Sequence, residues 1–170
     1  MATELHLLLV RHAIAEERGP AWPDDDQRPL SREGHRKWKR AARGLAQLAP
    51  SVDMLLTSPL TRAFQTAETL AKALSPSPKI QMFDALRPET RPGTMVTALR
   101  AKSPKGTVVL VGHEPMLSEL AALLLHLQGP LEFRKGAAML VVTTGLGTRG
   151  PARLEWFVTP RMLRDVAGKD

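Results

Sequence analysis

The chain has 170 residues, of which 43% are hydrophobic and 24% are charged, values typical of one globular domain spanning residues 1–170. Apolar runs reach six residues, as at 120–125, far fewer than the roughly 20 that cross a bilayer, which argues against a membrane protein. No export signal is recognised, and the absence of cysteine excludes disulfides, thiol nucleophiles and thiolate metal sites. We therefore expect a cytoplasmic protein.

The net charge of +7 favours anionic partners. Much of the excess lies in a segment at residues 31–49, where basic residues recur at helical spacing opposite an apolar stripe. Aromatic residues make up only 4% of the chain and tyrosine is absent, which leaves little for base stacking. We interpret the basic helix as a solvated face and do not expect nucleic acid as a partner, although its role is not defined by the sequence.

Strands and helices alternate along most of the chain. Apolar runs of strand length predict strands at residues 5–10, 52–57, 80–83, 107–111 and 139–144. A polar, proline-rich loop is predicted at residues 15–29, followed by a helix from the N-cap Ser31 to a stop at Pro50. Helical periodicity also predicts helices at 60–74 and 115–127.

The last third of the sequence has a different pattern. Residues 137–145 and 152–160 resemble an antiparallel pair at the sheet edge, joined by the glycine-rich segment 145–150 and followed by a short C-terminal helix. Together with the alternation before it, this order predicts a three-layer α/β/α sandwich with a mostly parallel central sheet and an antiparallel edge strand.

Cationic side chains follow several of the predicted strands. Arg11 and His12 end the first strand, His113 ends the strand at 107–111, and Arg62 lies in the first turn of the helix after Ser58. Each alone is more typical of a structural residue. Ligands bind at the carboxyl ends of parallel strands. Four such groups without matching carboxylates therefore predict a site for an anion, and we expect that anion to be phosphate.

The same residues suggest a nucleophile. In a chain without cysteine, a neutral imidazole is the group best suited to attack phosphorus at physiological pH, and nearby arginines disfavour its protonated form. His12 is the best candidate. We expect its other ring nitrogen to bond a backbone carbonyl of the following loop, which would fix the tautomer.

Four blocks of sequence resemble the histidine phosphatase superfamily, also called phosphoglycerate mutase-like, and its SixA branch of phosphohistidine phosphatases. The blocks are "LLLVRHAIAEE", "RPLSREG", "LTSPLTRAFQTAE" and "VVLVGHEPMLSEL". The resemblance implies a phosphoglycerate mutase-like fold. It also implies that His12 is transiently phosphorylated, that Arg11, Arg62 and His113 grip the phosphoryl oxygens, and that Arg28 adds a further pocket arginine. Alternatively, Arg28 is a helix-entry residue that faces water.

The general acid is the least defined part of the predicted site. By position, both Glu114 and Glu89 are candidates, although Glu114 could instead interact only with a helix dipole. A phosphorus–nitrogen bond breaks readily once the imidazole is protonated, whereas an alkoxide needs a proton donor, so a weak acid site favours phosphoramidates over phosphate esters.

The resemblance implies a metal-independent phosphatase without cofactor, acting on phosphohistidine in a signalling protein such as a histidine-containing phosphotransfer domain. The alternatives are a phosphatase of small esters, such as a sugar phosphate or nucleotide, and a non-enzymatic module that binds phosphorylated ligands. A phosphate or sulfate ion is expected to fit the site. Asp24, Asp25 and Asp26 could repel acidic ligands or simply keep the loop soluble, and we favour the second interpretation. The physiological substrate and the oligomeric state are not defined by the sequence.

Overall fold

A six-stranded mixed sheet forms the centre of the structure, a computed structural model that describes residues 4–146 and 152–168. The strands are β1 (Leu5–Arg11), β2 (Met54–Thr57), β3 (Ile80–Met82), β4 (Thr107–Gly112), β5 (Ala138–Thr143) and β6 (Ala152–Val158). Their order is β3-β2-β4-β1-β5-β6. The first four are parallel, and β5 is antiparallel to both β1 and β6, so the antiparallel strand lies one position in from the edge.

Five α-helices within the described residues cover the two faces of the sheet. They are α1 (Arg32–Leu48), α2 (Thr61–Ala73), α3 (Pro92–Ala101), α4 (Met116–Leu125) and α5 (Pro160–Val166). Two 3-10 turns, Asp25–Gln27 and Asp84–Leu86, lie in the loops. No helix within 4–146 or 152–168 combines the length and apolarity needed to cross a bilayer.

The core has two halves, one on each side of the sheet. Alternate side chains of β1 point to opposite faces, so Leu7 and Leu9 pack with α3 and α4, whereas Leu8 and Val10 pack with α1, α2 and α5. Both faces of the central strands are buried, which explains why β1 and β4 are almost continuously apolar in sequence. These layers confirm the predicted three-layer arrangement.

Helix α1 is fixed at its start and its middle. The Ser31 side chain accepts a hydrogen bond from the Gly34 amide at 3.0 Å and caps the helix. Further along, the Trp38 indole N–H donates to the Thr66 carbonyl at 2.9 Å, which ties α1 to α2. Both helices therefore begin at one edge of the sheet and run away from it side by side.

Some elements differ from the sequence prediction. Helix α3 was not specified, although Pro92 at its first position and the spacing of Met95 and Leu99 are helical signals. The loop at 15–29, expected to lack any element, contains the turn Asp25–Gln27. The predicted glycine-rich connection between β5 and β6, residues 145–150, falls largely outside the described residues.

Candidate active site

A cavity of about 480 Å³ lies where β1 and β4 end. These strands are adjacent and parallel, so their carboxyl ends meet at one edge and bring together residues that are about a hundred positions apart. The lining includes most of the residues proposed from sequence, namely Arg11, His12, Arg28, Arg62, His113 and Glu114. Glu89 is exposed and is not among the described residues that line the cavity, although its neighbour Pro88 is.

His12 is buried in an uncharged form with a defined tautomer. Its Nδ1 lies 2.7 Å from the Ala13 carbonyl oxygen, which can only accept, so Nδ1 carries the hydrogen. Burial lowers the pKa of His12 to about 3, the bond to Ala13 opposes this, and the charges of Arg62 and Arg11 lower the pKa further. Nε2 is therefore left with its lone pair, as expected for a nucleophile.

Hydrogen bonds hold the turn after His12. The His12 amide donates to the Gly112 carbonyl at 3.0 Å, and the Ala13 amide donates to Thr66 Oγ1 at the same distance. The Thr66 hydroxyl in turn donates to the Arg62 carbonyl at 2.7 Å. The imidazole is thus tied to β4 and to the helix that carries Arg62.

His113 faces His12, with the two ring centroids 5.1 Å apart. Its Nε2 lies 2.8 Å from Ser58 Oγ, and that oxygen also accepts a hydrogen bond from the Leu60 amide at 3.3 Å. Nδ1 is buried without a hydrogen-bond partner among the described residues. Burial, followed by the neighbouring His12, Arg62 and Arg11, lowers the pKa of His113 to about 2, so this ring is also neutral.

Three arginines are anchored by backbone carbonyls at the cavity. Arg11 donates to the Phe133 carbonyl at 2.5 Å, Arg28 to the Glu16 carbonyl at 2.6 Å, and Arg62 to the Asp25 carbonyl at 2.8 Å. The Nε atoms of Arg11 and Arg62 are buried and have no partner in the described part of the chain. Buried donors without partners are rare, and the guanidinium groups of these arginines line the cavity, where planar donors of this kind suit an oxyanion.

The positions of Arg28 and Asp25 contradict two interpretations made from the sequence. Arg28 is only 7% exposed, which excludes the alternative in which its charge faces water. The Asp25 carboxylate accepts from Arg28 Nε at 2.7 Å and from Arg62 Nη2 at 3.1 Å. The expectation that the cationic groups lack a matching carboxylate is therefore wrong, because the loop at 15–29 folds back and places Asp25 between two of the arginines.

The other acidic residues of this loop also have specific contacts. Asp24 accepts from the Asp26 amide at 3.0 Å and caps the 3-10 turn. Asp26 pairs with Arg87 at 2.8 Å, which fastens the loop to the segment after β3. The interpretation that these residues only keep the loop soluble is wrong, since they shape the loop. The pair Asp25 and Arg28, three residues apart, was the sequence signal for this turn.

Glu114 lines the cavity from the loop before α4. The Ser118 hydroxyl donates to Glu114 Oε2 at 2.5 Å, whereas Oε1 is buried without a partner among the residues described. Desolvation raises the pKa of Glu114, and the Ser118 hydrogen bond and the charge of Arg11 partly oppose this. A carboxyl group of raised pKa at the cavity wall keeps its proton to higher pH than an exposed carboxyl group, which suits a proton donor.

Sequence reasoning missed two further cations at the cavity. Arg18 and Lys135 both contribute to its lining, and the charge of Lys135 helps lower the pKa of His12. Both residues are exposed and lie in loops, where no periodicity marks them. Within the described residues no group of three or more His, Asp or Glu side chains is placed to hold a metal ion.

Comparisons with known proteins agree with this geometry. Residues 7–88 match the model of the histidine phosphatase superfamily (branch 1). A protein of Picosynechococcus described as uncharacterized is 41% identical over 120 residues, which cover 69% of this chain and 71% of the relative.

Two solved structures share the fold. One is the protein histidine phosphatase SixA complexed with tungstate, with a TM-score of 0.79 at 24% identity, covering 93% of this chain and 99% of that one. The other is mycobacterial glucosyl-3-phosphoglycerate phosphatase in complex with inorganic phosphate. Its TM-score is 0.67 at 16% identity, and the match covers 92% of this chain and 98% of that one. The chain therefore belongs to the histidine phosphatase superfamily of phosphatase- and mutase-type enzymes, and its fold is that of the SixA phosphohistidine phosphatase.

Proposed function

We propose that this protein is a metal-independent phosphatase that forms a phosphohistidine intermediate on His12 and that its substrate is phosphohistidine carried by another protein. The observation that carries the proposal is the uncharged His12 ring. Its Nδ1 hydrogen is fixed by the Ala13 carbonyl, and its lone pair on Nε2 is presented beside two arginines whose Nε donors are unpartnered among the described residues.

The first step is attack of His12 Nε2 on phosphorus. The new N–P bond forms as the bond to the leaving nitrogen breaks, and the leaving imidazole keeps the electron pair and takes a proton. Arg11, Arg28 and Arg62 neutralise the charge on the phosphoryl oxygens, which is the main catalytic contribution in phosphoryl transfer. Ser58 can donate its hydroxyl hydrogen to His113 Nε2, so that His113 Nδ1–H becomes a further donor to the phosphoryl group.

In the second step a water molecule attacks the phosphorus of phosphorylated His12. The N–P bond breaks, His12 recovers its lone pair, and inorganic phosphate leaves with the proton balance made up by solvent. The Ala13 carbonyl holds Nδ1–H in both steps, so that the ring returns to the same tautomer. The guanidinium groups that crowd the cavity oppose binding of a divalent cation, which supports the metal-independent form of the proposal.

A protein substrate is supported by the chemistry of the leaving group. Imidazole leaves from phosphorus readily once it is protonated, so a phosphoramidate makes little demand on a general acid. The SixA structure that shares this fold is described as a protein histidine phosphatase, and its tungstate ion has the shape of a phosphoryl group.

A small phosphate ester is the second candidate, and one observation favours it. Glu114 lines the cavity with a raised pKa, which suits protonation of an alkoxide leaving group. We propose Glu114 as that proton donor in preference to the exposed Glu89. The glucosyl-3-phosphoglycerate phosphatase that shares the fold at lower identity is named for such an ester.

The test compares three substrates under identical conditions, with His12→Ala as the blank. They are a phosphorylated histidine-containing phosphotransfer domain, a small phosphoramidate, and a panel of sugar phosphates and nucleotides. The proposal predicts the highest kcat/KM for the phosphoprotein. Faster turnover of one ester would establish the second candidate, and binding of phosphate or tungstate without any turnover would indicate a binding module.

A further inference from the structure

A second cavity, larger than the one at the candidate active site, lies away from that site between α1 and α2. This cavity, the basic groove, has a volume of about 630 Å³ and is lined by Arg32, His35, Arg36, Lys39, Arg43, Thr69, Lys72 and Ala73. It includes most of the basic face that the sequence analysis interpreted as simply solvated. Its shape, with one wall from each helix, distinguishes it from a single exposed helix face.

The charge of the groove is poorly compensated. Arg32, Arg36, Lys39 and Lys72 form no ion pair within 4.0 Å with any carboxylate of the described residues. The nearby Glu33 is committed to Lys37, at 2.5 Å. Four exposed cations thus share one groove without a counter-charge in contact, an arrangement that attracts an anionic partner and raises its rate of association.

The cations form a row along α1. Positions 32, 36, 39 and 43 follow the spacing that places side chains on one face of a helix, and at 1.5 Å per residue the row is about 17 Å long. A row of this length is longer than a small phosphorylated metabolite. It matches several carboxylates spread over the surface of a protein, as on an acidic helix that lies in a groove.

The groove also has a fixed position relative to the candidate active site. Helix α2 carries Arg62 in its first turn at the site, and Thr69 and Lys72 lie on the same helix, about 10 and 15 Å further along its axis. Helix α1 begins beside the turn after His12, since the Ser31 amide donates to the Ile14 carbonyl at 3.1 Å. A protein whose phosphorylated side chain enters the site can therefore reach the groove at the same time.

We infer that the basic groove is a docking surface for the acidic face of the phosphoprotein substrate, an inference that rests on the function proposed above. Contacts there add to binding without touching the phosphoryl group. They affect protein substrates and leave small substrates unchanged, because exposed charges act chiefly on encounter and orientation.

The test uses the double variant Arg36→Glu/Lys39→Glu in the full chain. Its matched control is Arg100→Glu/Lys105→Glu, which reverses the same charge at two exposed residues near α3, on the opposite face of the sheet. We expect kcat/KM for the phosphorylated phosphotransfer domain to fall on the order of tenfold in the groove variant and much less in the control. Turnover of the small phosphoramidate should be unchanged in both, which also shows that the variants fold.

Several outcomes would overturn the inference. If kcat/KM for the phosphoprotein falls equally in the groove variant and in the control, the effect is one of net charge and not of docking in the groove. If the wild-type protein hydrolyses the phosphoramidate but no phosphoprotein, the proposed substrate class fails and the docking inference fails with it. Binding of a fluorescent single-stranded oligonucleotide at physiological salt gives a further outcome. If only the groove variant loses this binding while its rate with the phosphoprotein is unchanged, the groove belongs to nucleic acid instead.

Discussion

Asp25 and Arg62 form the contact that links the proline-rich loop to the candidate active site. Arg62 Nη2 lies 3.1 Å from an Asp25 carboxylate oxygen and Nη1 lies 2.8 Å from the Asp25 carbonyl. The same carboxylate accepts from Arg28, and these arginines lower the pKa of Asp25 from its usual value, with the hydrogen bond to Arg28 as the main cause. The carboxylate thus holds two guanidinium groups together that would otherwise repel each other.

Removal of this carboxylate should destabilise the protein in a way that an oxyanion can reverse. We expect Asp25→Asn to lower the free energy of unfolding by about 1–2 kcal/mol, less than for a fully buried pair because the Asp25 side chain is 38% exposed. Tungstate should then stabilise the variant more than the wild type, because the anion replaces the missing negative charge. Thermal unfolding with and without tungstate measures both effects.

Asp26→Asn is the matched control for this experiment. Asp26 belongs to the same turn and pairs with the partly exposed Arg87 instead of the cavity arginines. Its replacement should cost less than about 1 kcal/mol and leave the response to tungstate unchanged. If Asp25→Asn behaves like Asp26→Asn, the carboxylate has no special role at the site.

The Glu114 carboxyl group should contribute strongly to the turnover of esters and hardly at all to the turnover of phosphoramidates. We expect Glu114→Gln to lower ester turnover about a hundredfold and phosphoramidate turnover only a few-fold, because only the alkoxide needs a proton donor. The acid form is the active one, so ester turnover of the wild type should fall as the pH rises through the raised pKa of Glu114.

Ser118 provides an independent check on this assignment. Its hydrogen bond lowers the pKa of Glu114, so Ser118→Ala should shift the decline in ester turnover to higher pH. Glu89→Gln should leave both substrates unaffected, since Glu89 is exposed and outside the cavity lining. A decline that stays in place in Ser118→Ala would count against Glu114 as the acid.

The buried histidines predict how stability depends on pH. An imidazole in the unfolded chain titrates near 6.5, whereas burial lowers the pKa of His12 to about 3 and that of His113 to about 2. Below pH 6.5 the unfolded chain therefore binds protons that the folded chain does not, and stability falls as the pH decreases, by up to about 1.4 kcal/mol per pH unit for each ring. Once the pH is below the pKa values of the two rings in the folded protein, a further decrease in pH causes no additional loss of stability from them.

Urea unfolding at pH 7 and pH 5 tests this dependence. In His113→Asn we expect the difference in stability between the two pH values to be smaller than in the wild type by as much as about 2 kcal/mol. The matched control is His35→Asn, a replacement at an exposed position of α1 outside the cavity of the candidate active site. An unchanged difference in His113→Asn would mean that the ring is not held neutral.

Gly34 should be needed for the turn after His12. A Cβ at this position of α1 would lie 1.9 Å from the Ile14 carbonyl oxygen, a backbone atom that cannot move without displacing the turn. We expect Gly34→Ala to cost about 1–3 kcal/mol and to weaken tungstate binding. Gly93→Ala, where a Cβ meets no atom within 4 Å, should be neutral or slightly stabilising, and equal behaviour of the two variants would contradict this account.

The strands and the residues at their ends were predictable because burial leaves a direct trace in the sequence. Both β1 and β4 are buried on both faces and read as apolar runs, so the residues that follow them, Arg11, His12 and His113, stand out. The contact between Asp25 and Arg62 was not predictable. It depends on the path of an irregular loop, for which neither periodicity nor composition gives a signal, and only the local pair Asp25 and Arg28 is visible as a spacing of three residues.

Trapping the phosphoryl group on His12 tests the proposed reaction. The enzyme is mixed with a radiolabelled phosphoramidate, quenched within milliseconds in base, and digested to locate the label. We expect an adduct that is stable in base and labile in acid, carried by the peptide that contains His12 and absent from His12→Asn. Label on another residue, or no label in enzyme that is turning over, would contradict it.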